Sequence, residues 1–356
     1  TQTPSPDTRD TLHTTLREHW DDELPRVLDP TAGGGVIPLE AVRYGLPTEA
    51  NELNSVPSLI LKTVLNYPLS IGSLRSDLKE WGEKIDSISS EKLEGIFPKS
   101  GSKRPSHYAG TYTINCPACG CDIPLVPSWW LLKRSSTDGI AVKPSIQNNS
   151  IKYQRVSIPE DNSNGSFDPQ DGPRSRGGNV QCVNCGIVTE GEDVKQRLQE
   201  GDYEYEILGA KYVDGNGGSE YRVPTDADYA GIENATKRIE NDIDLYSFLD
   251  TEIPKSGQKT SEPVGYGMTE WRDMFTPRQL VTHYEYLQAY EEIKIRIRSN
   301  YSDESRVQAI LTILAFAAGK MVDRNSRVSP YSINRGYPGN LFGGKKNGRA
   351  IAPGIF

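Results

Sequence analysis

Histidine is scarce in this chain: His13, His19, His107 and His283 are four residues scattered over 356 positions. No Ser/His/Asp arrangement and no H-E-x-x-H spacing joins them, which excludes a recognisable hydrolase triad or zinc-protease site. No apolar run reaches the ~20 residues of a membrane span, and Thr1-Gln2-Thr3-Pro4 opens no signal-peptide core. A soluble, cytoplasmic chain without membrane contact is expected. A surplus of positive charge is missing too. The net charge of −8 and a pI near 5.3 argue against a protein that coats nucleic acid non-specifically, while leaving room for a local basic channel. Apolar content of 35% with a mean hydropathy of −0.58 points to substantial loop. The length allows two or three domains. The chain opens without methionine, so a fragment or a processed product is expected.

Cysteine is sparse but ordered. Four of the five form Cys116-Pro117-Ala118-Cys119-Gly120 and Cys182-Val183-Asn184-Cys185-Gly186. Each C-x-x-C turn offers two thiolates, and the glycine after it relieves the backbone, so the two turns together supply the four soft ligands of a structural Zn2+. About 60 residues separate them, against the ~15–20 of a compact ribbon, so the turns are expected to meet across an insertion. Disulfides fit a cytosolic chain poorly, and a thioredoxin-like pair would not explain two glycine-followed copies. Cys121 is the odd thiol, read as partly buried beside the first turn.

Glycine is concentrated at Leu28-Asp29-Pro30-Thr31-Ala32-Gly33-Gly34-Gly35, between a short apolar strand (Val27, Leu28) and a helix over residues 37–44. Consecutive glycines let backbone amides approach an anionic or zwitterionic ligand with no Cβ in the way. Roughly 20 residues further on, Glu52 in Ala50-Asn51-Glu52-Leu53-Asn54 stands where a carboxylate would accept ribose hydroxyls. Strand, glycine turn, helix, acid is the order of a first Rossmann half. Gly33-Gly34-Gly35-Val36-Ile37-Pro38 lacks the third glycine of G-x-G-x-x-G, which disfavours NAD. A glycine-rich turn with no ligand is the plain alternative.

The remaining pattern is coarser. Residues 7–24 read as a helix with Asp7 as N-cap and Leu12, Leu16 and Trp20 on one face. Residues 56–67 read as a helix closed by Pro68, residues 74–97 as charged and amphipathic, and residues 101–105, with Lys99, Lys103 and Arg104, as a solvated linker. Short strands are expected at 123–127, 130–132, 139–142 and 152–158. Residues 162–178, with Arg174 and Arg176, read as a mobile polar loop. Trp129, Trp130, Lys133 and Arg134 mix aromatics with cations, as nucleic-acid-binding ribbons do, although core packing by one tryptophan explains them more economically. Thr276-Pro277-Arg278-Gln279 is a capping box with proline at the first helical position, and a second helix is expected from Ser302 or Asp303.

Asp-Pro-x-Ala-Gly-x-Gly is similar to the motif with which amino-methyltransferases acting on DNA bind S-adenosylmethionine. Together with residues 50–68, the two cysteine turns, Gly265-Tyr266-Gly267-Met268-Thr269 and Phe275-Thr276-Pro277-Arg278-Gln279, the chain resembles the large prokaryotic adenine-specific DNA methylases that carry an inserted zinc ribbon. The resemblance implies an α/β, Rossmann-like S-adenosylmethionine-dependent core with an inserted zinc ribbon and a helical C-terminal part. It assigns 1–98 to the cofactor-binding part, 99–218 to the ribbon insertion and 219–356 to a helical segment leading toward a missing catalytic half. Asp29, Pro30, Ala32, Gly33, Gly34, Gly35, Glu52 and Asn54 would then meet the cofactor, and Cys116, Cys119, Cys182 and Cys185 the zinc. DNA is the implied partner, beside the rest of the methyltransferase or a partner subunit of a genome-defence complex. The Asp-Pro-Pro-Tyr loop that such enzymes use on a flipped adenine is absent; Ser329-Pro330-Tyr331-Ser332 is the nearest string and reads as a loop, leaving the catalytic residues unassigned. A zinc-ribbon scaffold with a vestigial pocket, and methylation of RNA or protein, are the competing readings.

Overall fold

The computed structural model describes residues 3–162, 165–175, 177–256 and 261–340; the expectations placed on Arg176 and on the Gly-, Arg- and Lys-rich end 341–356 lie outside the described residues. The architecture is mixed α/β. The chain divides into two compact units, Thr1–Ile88 with Gln288–Ala318 and Ser89–Leu287 with Gly319–Phe356. These cut across the three contiguous segments ending at 98 and 218, because long helices carry the chain from one unit into the other.

Unit one opens with α1 (Pro6–His19), whose N-cap is Ser5 and not Asp7: the Ser5 hydroxyl accepts the Thr8 amide at 3.1 Å and proline occupies the first turn. The helix stops at Trp20, and Asp21 and Asp22 turn the chain in left-handed conformations. Then follow β1 (Val27–Asp29), α2 (Val36–Arg43) and β2 (Thr48–Ala50). β1 and β2 pair in parallel, Val27 with Thr48 and Asp29 with Ala50, making one βαβ unit. Among the described residues parallel pairing is confined to this pair, and the open multi-stranded sheet expected of a Rossmann-like core is not present among them.

Helix α3 (Ser55–Leu61), capped by the Asn54 side chain, continues through a wide π-type turn over Lys62–Asn66 into α4 (Tyr67–Ser70). The expected stop at Pro68 is therefore wrong. Proline lacks an N–H to give to the preceding turn, and the widened turn absorbs the missing bond. Helix α5 (Arg75–Lys92) follows.

Unit two is built on antiparallel strands. β3 (Arg104–Asn115) and β4 (Asp122–Pro124) form a hairpin; β5 (Trp130–Lys133), β6 (Gly139–Gln147) and β7 (Ser150–Ile158) form a three-stranded sheet; β8 (Val180–Gln181) and β9 (Val188–Thr189) form a second hairpin. After α6 (Gly191–Glu200), β10 (Glu204–Val213) pairs with β3 and with β11 (Ser219–Arg222), giving the order β11-β10-β3-β4. The expected linker is thus the entry to a twelve-residue strand, and Lys103 is ion-paired to Glu220. Ile114, Ile123, Leu125 and Val180 pack one core, and Ala109, Val126, Leu131 and Val142 another. The segment expected to be mobile is seated on this framework: the Pro169 and Asp171 carbonyls accept from the main chain and indole of Trp129, and the Arg174 amide bonds Val126.

Helices α7 (Asp226–Asn241), α8 (Ile243–Tyr246), α9 (Pro277–Asn300) and α10 (Glu304–Arg324) lead to the hairpin of β12 (Tyr331–Ser332) and β13 (Tyr337–Pro338). Gln279 and Thr276 close the expected capping box on α9. Within unit one, the Asp77 carboxylate clasps Arg306 of α10 at 2.6 Å and the Tyr301 hydroxyl at 3.0 Å. Among the described residues α10 is the one helix long and apolar enough to cross a membrane, with 28% of its apolar window buried in the protein; Val307, Ala309, Ile310, Leu311 and Leu314 are buried residues on it.

Candidate metal centre and nucleotide-type loop

The two cysteine turns sit at the tips of the β3–β4 and β8–β9 hairpins and repeat one geometry. Gly120 and Gly186 take left-handed φ values of 71° and 75°. The Gly120 amide bonds the Cys116 carbonyl at 2.9 Å as the Gly186 amide bonds Cys182 at 3.0 Å, and Cys116 and Cys182 each donate their own amide across the turn at 2.8 Å. Each hairpin thus presents two sulfurs on a rigid loop.

The structure brings all four together. Cys116 and Cys185 lie 3.6 Å apart, as do Cys119 and Cys182, and every sulfur is within 4.8 Å of the others. Zn–S bonds of about 2.3 Å give a tetrahedron edge near 3.8 Å, so the spacing fits an ion held by four thiolates. A disulfide needs about 2.05 Å, and all five cysteines are free thiols. The amide of Cys121 holds the Cys119 thiol down to about 7. At Cys185 the Ile187 amide also favours the thiolate, but loss of solvent, followed by hydrogen bonds shared with the other thiols, prevails and pushes it up to about 12. Four thiols this close can carry one negative charge readily and resist the next, a repulsion that a divalent cation removes.

Asn184 is a residue the sequence reading missed. Its amide faces the Cys182 sulfur at 3.4 Å and its side chain the Cys119 sulfur at 3.6 Å, tying the two turns together. Cys121 stands outside the four-sulfur group. It is fully buried, not partly, and burial pushes its thiol up to about 11.

In unit one the glycine loop closes on Glu52. The Gly33 amide donates to one carboxylate oxygen at 2.7 Å, and the Asn54 amide to the other at 2.9 Å. These bonds, Asn54's first, lower the Glu52 carboxyl below its ordinary range. Asp29 is buried at the end of β1 and accepts the Thr31 amide. Asn51, also missed, laces the loop to β2: its main chain bonds Asp29 and Ala32, and its side chain bonds the Pro30 carbonyl. Gly34 has open space where a Cβ would stand, whereas a Cβ on Gly35 would meet Leu61 at 2.6 Å. Val36, Ile37, Leu53 and Val56 lie exposed on the same loops and first helical turns. Ala32, Gly33, Gly34, Gly35, Glu52 and Asn54 therefore gather in one amide-lined, carboxylate-flanked loop with an apolar rim.

Comparison with family models, with curated proteins and with solved structures returned no match. Assignment therefore rests on these two local geometries.

The other residues singled out in the sequence divide between the interior and the surface. Trp129 and Trp130 are both buried, Lys133 bonds Gln170, and Arg134 pairs with Asp138. Ser329 is buried against Ser326 at 3.0 Å, and the Tyr331 hydroxyl donates to the Leu131 carbonyl.

Proposed function

We propose that this chain is the S-adenosylmethionine-binding and zinc-ribbon portion of a DNA adenine N6-methyltransferase. The observation that carries this reading is the β1–glycine loop–α2–β2 unit with the Glu52 carboxylate returned to the Gly33 amide. An ionised carboxylate has about four lone-pair directions. Two are taken by the Gly33 and Asn54 amides, which leaves two for a pair of ribose hydroxyls and presets the carboxylate for them. The open Gly34 would leave room for the methionine part of the cofactor, Asp29 at the end of β1 would take its amino group as the motif implies, and the apolar rim would suit the flat face of an adenine. The cysteine centre, on two hairpin tips, would hold Zn2+ as a structural ribbon.

Titration with S-adenosylhomocysteine tests the reading. Binding at one site in the micromolar range, lost in Glu52→Ala, is the expected result. No binding to the intact chain would favour a scaffold with a vestigial loop. No DNA methylation is expected from this chain by itself, since Ser329-Pro330-Tyr331-Ser332 supplies neither the carboxylate nor the paired prolines that adenine chemistry uses. Salt-sensitive DNA binding that survives Glu52→Ala but falls with Lys133→Ala and Arg134→Ala would favour the scaffold reading instead.

A further inference from the structure

Three arginines lie in the tyrosine-rich interior of unit two, and two of them are fully committed. Arg222 reaches Asp228 at 2.7 Å. Arg327 donates to the hydroxyls of Tyr112 and Tyr203 and to the Asp273 carbonyl. Arg278 differs. It is 5% exposed, its Nη1 is buried with no hydrogen-bond partner among the described residues, and none of the ion pairs among those residues includes it. Its guanidinium lies 3.9 Å from the Tyr108 ring centroid and 5.6 Å from that of Phe97. The carboxylates in this interior are engaged elsewhere: Asp228 holds Arg222, Tyr108 and Thr225, and Glu206 holds the Tyr229 hydroxyl.

A second observation concerns the helix. Arg278 stands in the first turn of the 24-residue α9, a turn that contains no acidic residue. The start of a helix is its positive end and favours anions. A buried cation there, with one arm unsatisfied, lacks the counter-charge that both its burial and its position call for.

We propose that the Arg278 guanidinium, at the positive end of α9, forms an oxyanion site of the phosphate class, the first-turn Gln279 amide being already held by the Thr276 cap. The planar fork of the guanidinium matches two phosphate oxygens, and the rings of Tyr108 and Phe97 hold it in place. The site belongs to unit two and the cofactor loop to unit one, and the proposal does not depend on the methyltransferase reading.

The test is thermal unfolding and calorimetry of the full chain with inorganic phosphate, against chloride and acetate at matched ionic strength. Phosphate is expected to raise the midpoint in a saturable way, about tenfold more weakly in Arg278→Lys, with no effect in Arg278→Met and an unchanged effect in Glu52→Ala. A phosphate shift of equal size in wild type and Arg278→Met would overturn the proposal, as would no shift at millimolar phosphate. Equal stabilisation by acetate would overturn the phosphate assignment. If Arg278→Met fails to fold, the Arg278→Lys titration decides: equal affinity to wild type counts against the site.

Discussion

Asp228 shows how one side chain can be decisive without touching either candidate site. It is wholly buried and accepts from Arg222, Tyr108, Thr225 and Tyr212. Burial works against its charge, but the Arg222 and Thr225 hydrogen bonds prevail and its carboxyl lies below the ordinary range. Removing one partner of such a pair strands the other, at a cost of about 3–5 kcal/mol. Asp228→Asn should therefore lose about 3 kcal/mol at neutral pH, measured by denaturant titration. The pH dependence has a definite sign. A depressed carboxyl stabilises the fold above its unfolded value near 3.9 and loses that contribution as pH falls toward the folded value. The wild-type midpoint should drop more steeply below about pH 4 than that of Asp228→Asn; parallel acid limbs would contradict this account. The Thr225-x-x-Asp228 spacing of a capping box stands in the sequence, but nothing in it shows that Arg222 and Tyr108 converge on the same carboxylate until β11, β3 and α7 come together.

At the scale of an element, the glycine loop separates what folding needs from what a ligand needs. Gly35 has φ +80° and no room for a Cβ beside Leu61, so alanine there meets both a left-handed backbone cost of about 1–2 kcal/mol and a steric overlap with α3. Gly34 has open space and no positive φ. Gly35→Ala should lower the unfolding midpoint by several degrees, whereas Gly34→Ala should leave it in place and weaken S-adenosylhomocysteine binding at least tenfold. A Gly35→Ala midpoint lowered only as far as the left-handed backbone requires would show that Leu61 yields, and equal midpoints for the two variants would contradict this account. This loop was legible because it is local: strand, turn, helix and acid succeed one another within 26 residues, Val27 to Glu52. The helices over 277–300 and 304–324 were legible for the same reason, through apolar spacing and the Thr276/Gln279 cap, whereas 75–92 read only as charged and amphipathic. β3 and β10 were not. Their stability comes from pairing across about 90 residues of intervening chain, which no window of sequence displays.

For the molecule as a whole, the cysteine centre is a long-range tie in unit two, beside the pairing of β3 with β10. It joins the β3–β4 hairpin to the β8–β9 hairpin, and Arg197 of the neighbouring α6 reaches back to the Asn115 carbonyl. Because a structural ion binds the folded arrangement and not the open chain, its binding free energy is folding free energy. One zinc per chain is expected by elemental analysis, with release on Cys182→Ser. Chelation should lower the unfolding midpoint of the intact protein and expose the strands of unit two to protease, while a signal confined to unit one changes little. Protein prepared without chelator that contains no zinc would remove the centre from this account.

Composition and spacing alone identified the chemistry on offer: two glycine-followed C-x-x-C turns, a glycine loop with an acid behind it, and a capped helix at Thr276. Those features need only neighbours in the chain, so residue type and interval express them. Only the tertiary structure decided that the four sulfurs converge within 4.8 Å, that Glu52 closes on Gly33, and that Asp228 and Arg278 lie inside. It also decided that β1 and β2 stand as one parallel pair and not as part of a wider sheet. Each of these depends on the burial and pairing of residues distant in sequence, where the free energy belongs to the contact and not to either residue.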